Sequence, residues 1–181
     1  MLKPNNMKFK LRSKDQVVRA AYFRGIVLNS FIFLENDISA CLAEFFCGNN
    51  NSYWTFINVI ADRMTFEAKR SSLRYLLEDL ERKAGFVKTK GNCYKCRDLI
   101  NELRLLNDQR NYFAHYQNVG MDGKEHYAIL LQDCRDDWTE HSYMEEDISK
   151  LIARIGKASV SVKNIYMEQR AISKANEEVD E

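Results

Sequence analysis

The sequence is poor in the residues that form tight turns. It has one proline, Pro4, and seven glycines among 181 residues. A β-sandwich or β-barrel needs many tight turns and generally uses more of both residue types. The scarcity argues against an all-β fold and favours helices joined by few connections. The length is enough for one domain with a sizeable core and too short for two full domains.

The sequence also lacks a long uninterrupted apolar run and a recognisable export signal. The first residues are basic, but no apolar segment follows them directly. The longest apolar stretch, near 26–34, is interrupted by Asn29 and Ser30 and is shorter than the ~20 residues of a membrane-spanning helix. Five cysteines in such a chain indicate reduced thiols and not a disulfide framework. We expect a cytoplasmic protein with no membrane segment.

Charge is nearly balanced overall but is unevenly distributed. The net charge is +1, which alone does not suggest nucleic-acid binding. Residues 1–24 carry seven basic side chains and one acidic, whereas residues 133–181 carry seven basic and twelve acidic. A basic front and an acidic rear would guide a polyanion to one side of the molecule. A solvated surface with an acidic disordered tail explains the same distribution.

Apolar periodicity predicts one helical domain over residues 13–173. A basic arm, 1–12, precedes this domain and an acidic disordered tail, 174–181, follows it. Two capping boxes are predicted, Ser13 with Gln16 and Ser142 with Glu145. Helical spacing of apolar residues predicts helices over 15–46, 53–62, 65–83, 94–116 and 142–171.

A change of pattern after the fourth predicted helix indicates a small β-insert over about 117–142. The segment 126–132 is typical of a strand, and 138–142 is placed to pair with it as a hairpin. The predicted fold is therefore mainly α, a bundle of four or five helices with a β-hairpin inserted before the last helix.

The end of the fourth predicted helix carries Arg110, Asn111 and His115. Asn111 and His115 are four residues apart and share a helical face, while Arg110 lies about 100° away around the helix. Arginine binds phosphate oxygens through its forked guanidinium, and histidine takes or gives a proton near neutral pH. Asparagine can orient the imidazole or bind a phosphate oxygen. The set suits a transesterification in which an RNA 2′-hydroxyl attacks the adjacent phosphate without metal or cofactor.

An ordinary solvated helix explains the same residues. Polar side chains recur at helical spacing over 97–115, as they do on any exposed helix face. A histidine in the last turn also interacts favourably with the helix dipole. The spacing alone leaves both interpretations open.

The string RNYFAH at 110–115 resembles the RNxxxH signature of the HEPN superfamily, whose members are helical-bundle ribonucleases and nucleotide-binding domains. The likeness of architecture covers about residues 13–171, although only about ten residues belong to the motif. It implies a homodimer in which two motifs face each other and form one RNA-cleaving site. Arg110 would then stabilise the phosphate, His115 would act as acid and base, and Asn111 would assist. The insert at 117–142 departs from the family pattern.

The resemblance leaves three hypotheses open. Some HEPN proteins are toxins or act in phage defence, with an antitoxin or regulatory protein as partner, and this favours an active endoribonuclease. Others are catalytically silent modules that dimerise or bind RNA, a nucleotide or a partner protein. The third hypothesis is an unrelated helical bundle whose motif is accidental.

Four further side chains are weak candidates for substrate binding. Glu35 lies on the apolar seam of the first helix and is expected to reach the motif, to pair with Arg24 or another basic residue, or to face solvent through a local drift of the seam. Lys69 is a candidate for contacting RNA phosphate, although exposed lysines without a role are the more common case. Tyr112 and Tyr116 flank the motif and are suited either to stacking on bases or to packing.

The cysteines Cys93 and Cys96 form a CxxC motif. Two such pairs would hold zinc, but Cys134 and the histidines do not make a recognisable second half. Redox CxxC motifs usually follow a strand, and none is predicted here. We interpret the pair as two unrelated thiols at a helix start and expect no metal. Stoichiometric zinc in a metal assay would contradict this interpretation.

Overall fold

The computed structural model describes residues 14–48, 52–87, 94–119, 128–133 and 139–177, with side chains as far as residue 168. The protein is mainly α-helical with a small antiparallel sheet, which confirms the predicted class. Its described elements, in chain order, are α1 (Lys14–Cys47), α2 (Ser52–Val59), a 3-10 turn (Ala61–Arg63), α3 (Phe66–Lys83), α4 (Arg97–His115), β1 (Gln117–Asn118), β2 (Ile129–Gln132), β3 (Glu140–Tyr143) and α5 (Glu145–Glu177).

One face of α1 supplies the centre of the core. Val27, Phe31, Leu34 and Ile38 recur at helical spacing and are almost completely buried. The same core contains buried apolar side chains from α3, α4, α5 and β2. At the start of α1, Val17 is 45% exposed, and the buried face passes through Ala20.

The opposite face of α1 is apolar and exposed. Val18, Tyr22, Ile32 and Phe33 lie there, each between 55% and 62% exposed. An 18-residue window of α1 has mean hydropathy 1.5, and 22% of that window is buried inside the protein. By length and composition α1 therefore meets the criterion for a membrane span, although core helices of soluble proteins meet it as well. The apolar stretch at 26–34 is much shorter than α1. The polar residues within α1 interrupt this stretch without lowering the mean hydropathy of the helix below the criterion.

Long-range polar contacts define the helix directions. Arg19 contacts Glu145, and Ser159 donates a hydrogen bond to Asp37, so α1 and α5 run parallel. Arg154 donates two hydrogen bonds to Glu102, at 2.8 and 3.1 Å. With the β3–α5 junction beside the C-terminal half of α4, this contact makes α4 antiparallel to α5.

The insert forms a three-stranded antiparallel sheet in the order β1–β2–β3. Ile129 pairs with Tyr143 and Gln132 with Glu140, which confirms the predicted hairpin. The sequence missed β1, a two-residue strand immediately after α4 that pairs with β2. Because β1 continues directly from α4, the sheet is held against the last turns of that helix.

Several helix ends differ from the predictions. Ser142 lies inside β3 and does not cap α5; instead, the Met144 backbone N–H donates to Asp147 Oδ2 at 2.9 Å. The helix α5 continues to Glu177, so the first four residues of the predicted disordered tail are helical. Gly156 does not interrupt it. The predicted cap Ser13, the basic arm 1–12 and residues 178–181 lie outside the described residues.

Candidate functional site

The C-terminal part of α4 carries the three motif residues at the protein surface. Phe113, in the middle of the motif, is completely buried and fixes the rotation of the helix. Arg110 and Asn111 are half-buried, and His115, the last helical residue, is exposed. The hydrophobic stripe of α4 thus holds the motif at the surface, at the end of a rigid element.

Arg110 and Asn111 are in direct contact. The Arg110 guanidinium donates to Asn111 Oδ1 at 3.4 Å, a long hydrogen bond. Within the described part of the chain, no carboxylate forms an ion pair with Arg110. Its positive charge is therefore not neutralised by these neighbours, and the contact with Asn111 aligns two side chains that lie about 100° apart on an ideal helix.

The imidazole of His115 is open to solvent. No hydrogen bond or ion pair joins it to another of the residues that the structure describes, so both ring nitrogens are accessible to a ligand. The Ala114 carbonyl, one residue earlier, accepts a 2.8 Å hydrogen bond from Arg24 Nη2. Arg24 thereby binds a free carbonyl at the end of α4 and adds a second guanidinium to the site. The sequence signal for it was a polar residue on the seam of α1.

Strand β3 adds a second histidine that the sequence analysis missed. His141 stacks on Tyr112 with ring centroids 4.0 Å apart and planes at 19°. Tyr116 is tilted against the same imidazole at 5.6 Å. The two tyrosines thus pack around His141 within this protomer, as the packing alternative predicts; their stacking on bases stays a prediction. An alternating strand pattern could have indicated that residue 141 faces the helix, but not that it meets Tyr112.

The environment of His141 disfavours its protonated form. Desolvation by burial lowers the pKa of His141 below the ordinary 6.5, and the charge of Asp133 opposes this only in part. The neighbouring Tyr143 hydroxyl donates to Gln109 Oε1 at 2.9 Å and ties β3 to α4. The sheet therefore positions a neutral imidazole beside the motif at neutral pH.

Glu35 and Lys69 do not belong to this site. They form an ion pair with Lys69 Nζ 2.9 Å from Glu35 Oε1. Lys69 is 3% exposed, so the prediction that it contacts RNA phosphate is wrong: its ammonium is buried and already paired. Glu35 does pair with a basic residue, as one of the alternatives predicted, but the partner is Lys69 and not Arg24.

The thiol of Cys96 lies at the start of α4, while Cys93 is outside the described residues. Burial, followed by the charge of Glu81, raises the pKa of Cys96 to about 11, which keeps the thiol protonated. Among the residues that the structure describes, no group of three or more histidine, cysteine, aspartate or glutamate side chains is placed to hold a metal ion.

Comparison with protein-family models, with curated proteins and with solved structures finds no match for this chain. A functional assignment therefore depends on the site itself.

Proposed function

We propose that the protein is a metal-independent endoribonuclease of HEPN type, active as a cytoplasmic homodimer in a toxin or phage-defence role. Arg110, Asn111 and His115 form its catalytic site. One observation carries the proposal. The motif ends a helix that one buried apolar stripe holds in place, and it has an accessible imidazole and a guanidinium that no described carboxylate neutralises. A solvated helix face would pair its arginines, as Arg104 pairs with Asp108 at 3.3 Å on the same helix.

The chemistry requires one proton acceptor and one proton donor. His115 takes the proton of the RNA 2′-hydroxyl, and the 2′-oxygen attacks the adjacent phosphorus. The bond from phosphorus to the 5′-oxygen breaks, and that oxygen takes a proton from an imidazolium. The products are a 2′,3′-cyclic phosphate and a 5′-hydroxyl. Arg110 stabilises the charge that develops on the phosphate oxygens, and Asn111 holds Arg110 or a phosphate oxygen.

A homodimer meets this requirement because it supplies two copies of His115. One imidazole acts as base while the other, protonated, acts as acid. The outward face of α4 suits such an interface, since Leu105 and His115 are both exposed on it. Leu105 is 43% exposed there, an apolar residue that a second copy would cover.

The test is cleavage of a mixed-sequence RNA in EDTA by the wild type, Arg110→Ala and His115→Ala. Arg63→Ala is the matched control, because Arg63 is exposed in the 3-10 turn. We expect cutting by the wild type and the control, a cyclic phosphate on the product, and a loss of roughly 100-fold or more in the two motif variants. Cutting that survives both substitutions would mean that the site is elsewhere.

A catalytically silent module of the same type is the second candidate. It is favoured by Tyr112 and Tyr116, whose rings pack around His141 within the protomer, and by the net charge of only +1. Such a module would bind RNA, a nucleotide or a partner such as an antitoxin without cutting. RNA binding that depends on Arg110, with no cleavage by any variant, would select this candidate.

A further inference from the structure

Arg24 interrupts the buried face of α1. Ala20 and Val27, which precede and follow it on that face, are 1% and 0% exposed, whereas Arg24 is half-buried. A charged side chain at such a position loses part of its hydration, which an apolar side chain would not need. The position therefore requires a compensating contact for the guanidinium.

The contact that Arg24 makes leaves its charge intact. Its Nη2 donates to the Ala114 carbonyl at 2.8 Å, which uses one of the five N–H donors of a guanidinium. The acceptor is a neutral oxygen, and no carboxylate within the described ranges forms an ion pair with Arg24. By contrast, Arg19 on the same helix contacts Glu145. Capping of α4 explains the hydrogen bond but does not require a permanent charge, since a neutral donor would satisfy the same carbonyl.

This contact places the Arg24 guanidinium beside the motif. Ala114 directly precedes His115 and lies four residues after Arg110, so Arg110 and Ala114 share a face of α4. Arg110 has the same electrostatic character as Arg24, because its contact is with the neutral Asn111 Oδ1 at 3.4 Å. Two guanidinium groups from two helices, neither paired with a carboxylate that the structure describes, therefore lie on one side of the end of α4.

The end of α4 is otherwise unfavourable for an anion. The free carbonyls at the C-terminus of a helix carry a partial negative charge, which repels a phosphate. The motif is located at this end, since His115 is the last residue of α4. Arg24 covers one of these carbonyls and makes the local charge positive. Guanidinium groups also match the geometry of phosphate oxygens, so the arrangement favours a phosphate ligand.

The spacing along α4 indicates how the two arginines divide the work. The carbonyl that holds Arg24 lies four residues beyond Arg110, about 6 Å along the helix axis at 1.5 Å per residue. Such a separation suits two successive phosphates of a strand better than a single phosphate. Arg24 is also held by the backbone and not by a reacting group, so it is suited to bind substrate and transition state equally.

We infer that Arg24 binds the RNA backbone phosphate next to the one that is cut. The inference rests on the proposed function for its choice of RNA and of the cut bond. It makes Arg24 a positioning residue, which holds the strand over His115 without touching the reacting atoms.

The test measures binding separately from cutting. Fluorescence anisotropy of a labelled single-stranded RNA of about twelve nucleotides is recorded in EDTA with the His115→Ala protein as parent. Arg24→Gln, introduced into that background, keeps an N–H donor for the Ala114 carbonyl but removes the charge, and Arg24→Lys keeps the charge. Arg19→Gln is the matched control, because Arg19 lies on the same helix but is already paired with Glu145. Thermal unfolding of each variant and hydrogen exchange of the last turn of α4 report whether the helix end is intact.

We expect Arg24→Gln to bind RNA about 10-fold more weakly and to lower the slope of log K against log salt by about 0.7. Arg24→Lys should keep the salt slope, and Arg19→Gln should bind as the parent does. Equal affinity and slope in Arg24→Gln and the parent would overturn the inference and leave Arg24 as a helix cap, as would absence of RNA binding by the parent. If Arg24→Gln does not fold, loss of the salt slope in a folded Arg24→Lys would overturn it.

Kinetics in the His115 background locate the phosphate. In the otherwise wild-type protein, Arg24→Gln should raise KM for RNA about 10-fold and change kcat by less than about twofold, because it removes uniform binding. A large fall in kcat at unchanged KM would contradict the assignment to a neighbouring phosphate. If the wild type binds RNA without cutting it and binding depends on Arg24, the nuclease proposal fails and phosphate binding by Arg24 stands. If the wild type cuts RNA and Arg24→Gln behaves as its parent, only the inference about Arg24 fails.

Free phosphate has the same chemistry as the RNA backbone, and a second arm distinguishes the two. Inorganic phosphate is titrated into the unlabelled His115→Ala protein by calorimetry. If Arg24→Gln abolishes phosphate binding but leaves RNA binding unchanged, the site takes a free anion and the assignment to RNA is wrong. Weak or undetectable phosphate binding together with the 10-fold loss of RNA affinity supports the assignment.

Discussion

Lys69 and Glu35 are unequally buried, and this asymmetry has a measurable consequence. Lys69 is 3% exposed, whereas the Glu35 side chain is 26% exposed. Glu35→Gln leaves a buried ammonium without its counter-charge, and we expect a loss of about 2 kcal/mol or more in the free energy of unfolding. Lys69→Met leaves a carboxylate that water can reach, and we expect about 1 kcal/mol or less. Urea unfolding measures both.

The exposed Arg104–Asp108 pair is the control for this comparison. Arg104 is 54% exposed, so Arg104→Gln should change the free energy of unfolding by less than about 0.5 kcal/mol. Equal losses in the free energy of unfolding for Glu35→Gln and Lys69→Met would show that solvent screens the two charges equally, contrary to the difference in their burial.

His141 makes the stability of the protein depend on pH. Because burial lowers its pKa in the folded state below 6.5, the unfolded chain binds its proton more readily. Its contribution is therefore fully present above about pH 6.5 and is lost as the pH falls below that value. His141→Phe retains an aromatic ring against Tyr112 but cannot titrate. We expect it to lose less stability than the wild type between about pH 7.5 and pH 5.5.

Urea unfolding of the wild type and of His141→Phe at both pH values measures this difference. An identical pH dependence in wild type and His141→Phe would refute the role assigned to burial.

At the scale of elements, the N-terminus of α4 is capped by a carboxylate that belongs to α3. The N-cap residue Cys96 makes no side-chain capping bond. Instead the Glu81 carboxylate accepts the backbone N–H groups of Lys95 and Cys96, at 2.8 and 3.0 Å. Two free N–H groups at a helix start are thereby satisfied, and a negative charge lies at the positive end of the helix dipole.

We expect Glu81→Ala to lower the free energy of unfolding by about 1–2 kcal/mol, since it removes the equivalent of a helix cap. Asp79→Ala, two residues earlier on α3, is the control. Its carboxylate contacts only exposed basic residues of its own helix, Arg82 and Lys83, among the contacts described for it. Hydrogen exchange of the first turn of α4 should quicken in Glu81→Ala and not in Asp79→Ala. Unchanged exchange in both would contradict the capping role.

The β-insert is the element that most alters the surroundings of the motif. Because β1 continues from α4 and β3 returns beside it, the sheet brings His141 onto Tyr112. A hairpin was predicted at this place in the chain, but its register was not, and a shift of one residue would turn His141 away from the helix.

At the scale of the whole molecule, the proposed nuclease needs a second copy. Leu105→Glu places a charge on the outward face of α4 without disturbing its buried face. We expect this variant to be monomeric by light scattering and to lose RNA cleavage, because burying an unpaired carboxylate in the interface is unfavourable. Val160→Glu is the control, since Val160 is 57% exposed on α5. A Leu105→Glu dimer with full activity would exclude this face as the interface.

Local spacing in the sequence determined the helices and the position of the motif. Apolar residues three and four apart specify α1, α3 and α4 without reference to the rest of the chain, and the spacing of Asn111 and His115 follows from the helix itself. The mainly α class and the hairpin before α5 could therefore be predicted. The end of α5 could not, because a polar helical tail and a disordered one have similar composition.

Only the tertiary structure decided which polar groups meet. Lys69 binds Glu35 across 34 residues and Arg24 binds the Ala114 carbonyl across 90. His141 reaches Tyr112 only because the sheet folds back on α4. These contacts depend on how whole helices are oriented and rotated against one another. The simultaneous burial of all the apolar faces decides these orientations. Periodicity within one helix shows which face is apolar but not which neighbour covers it.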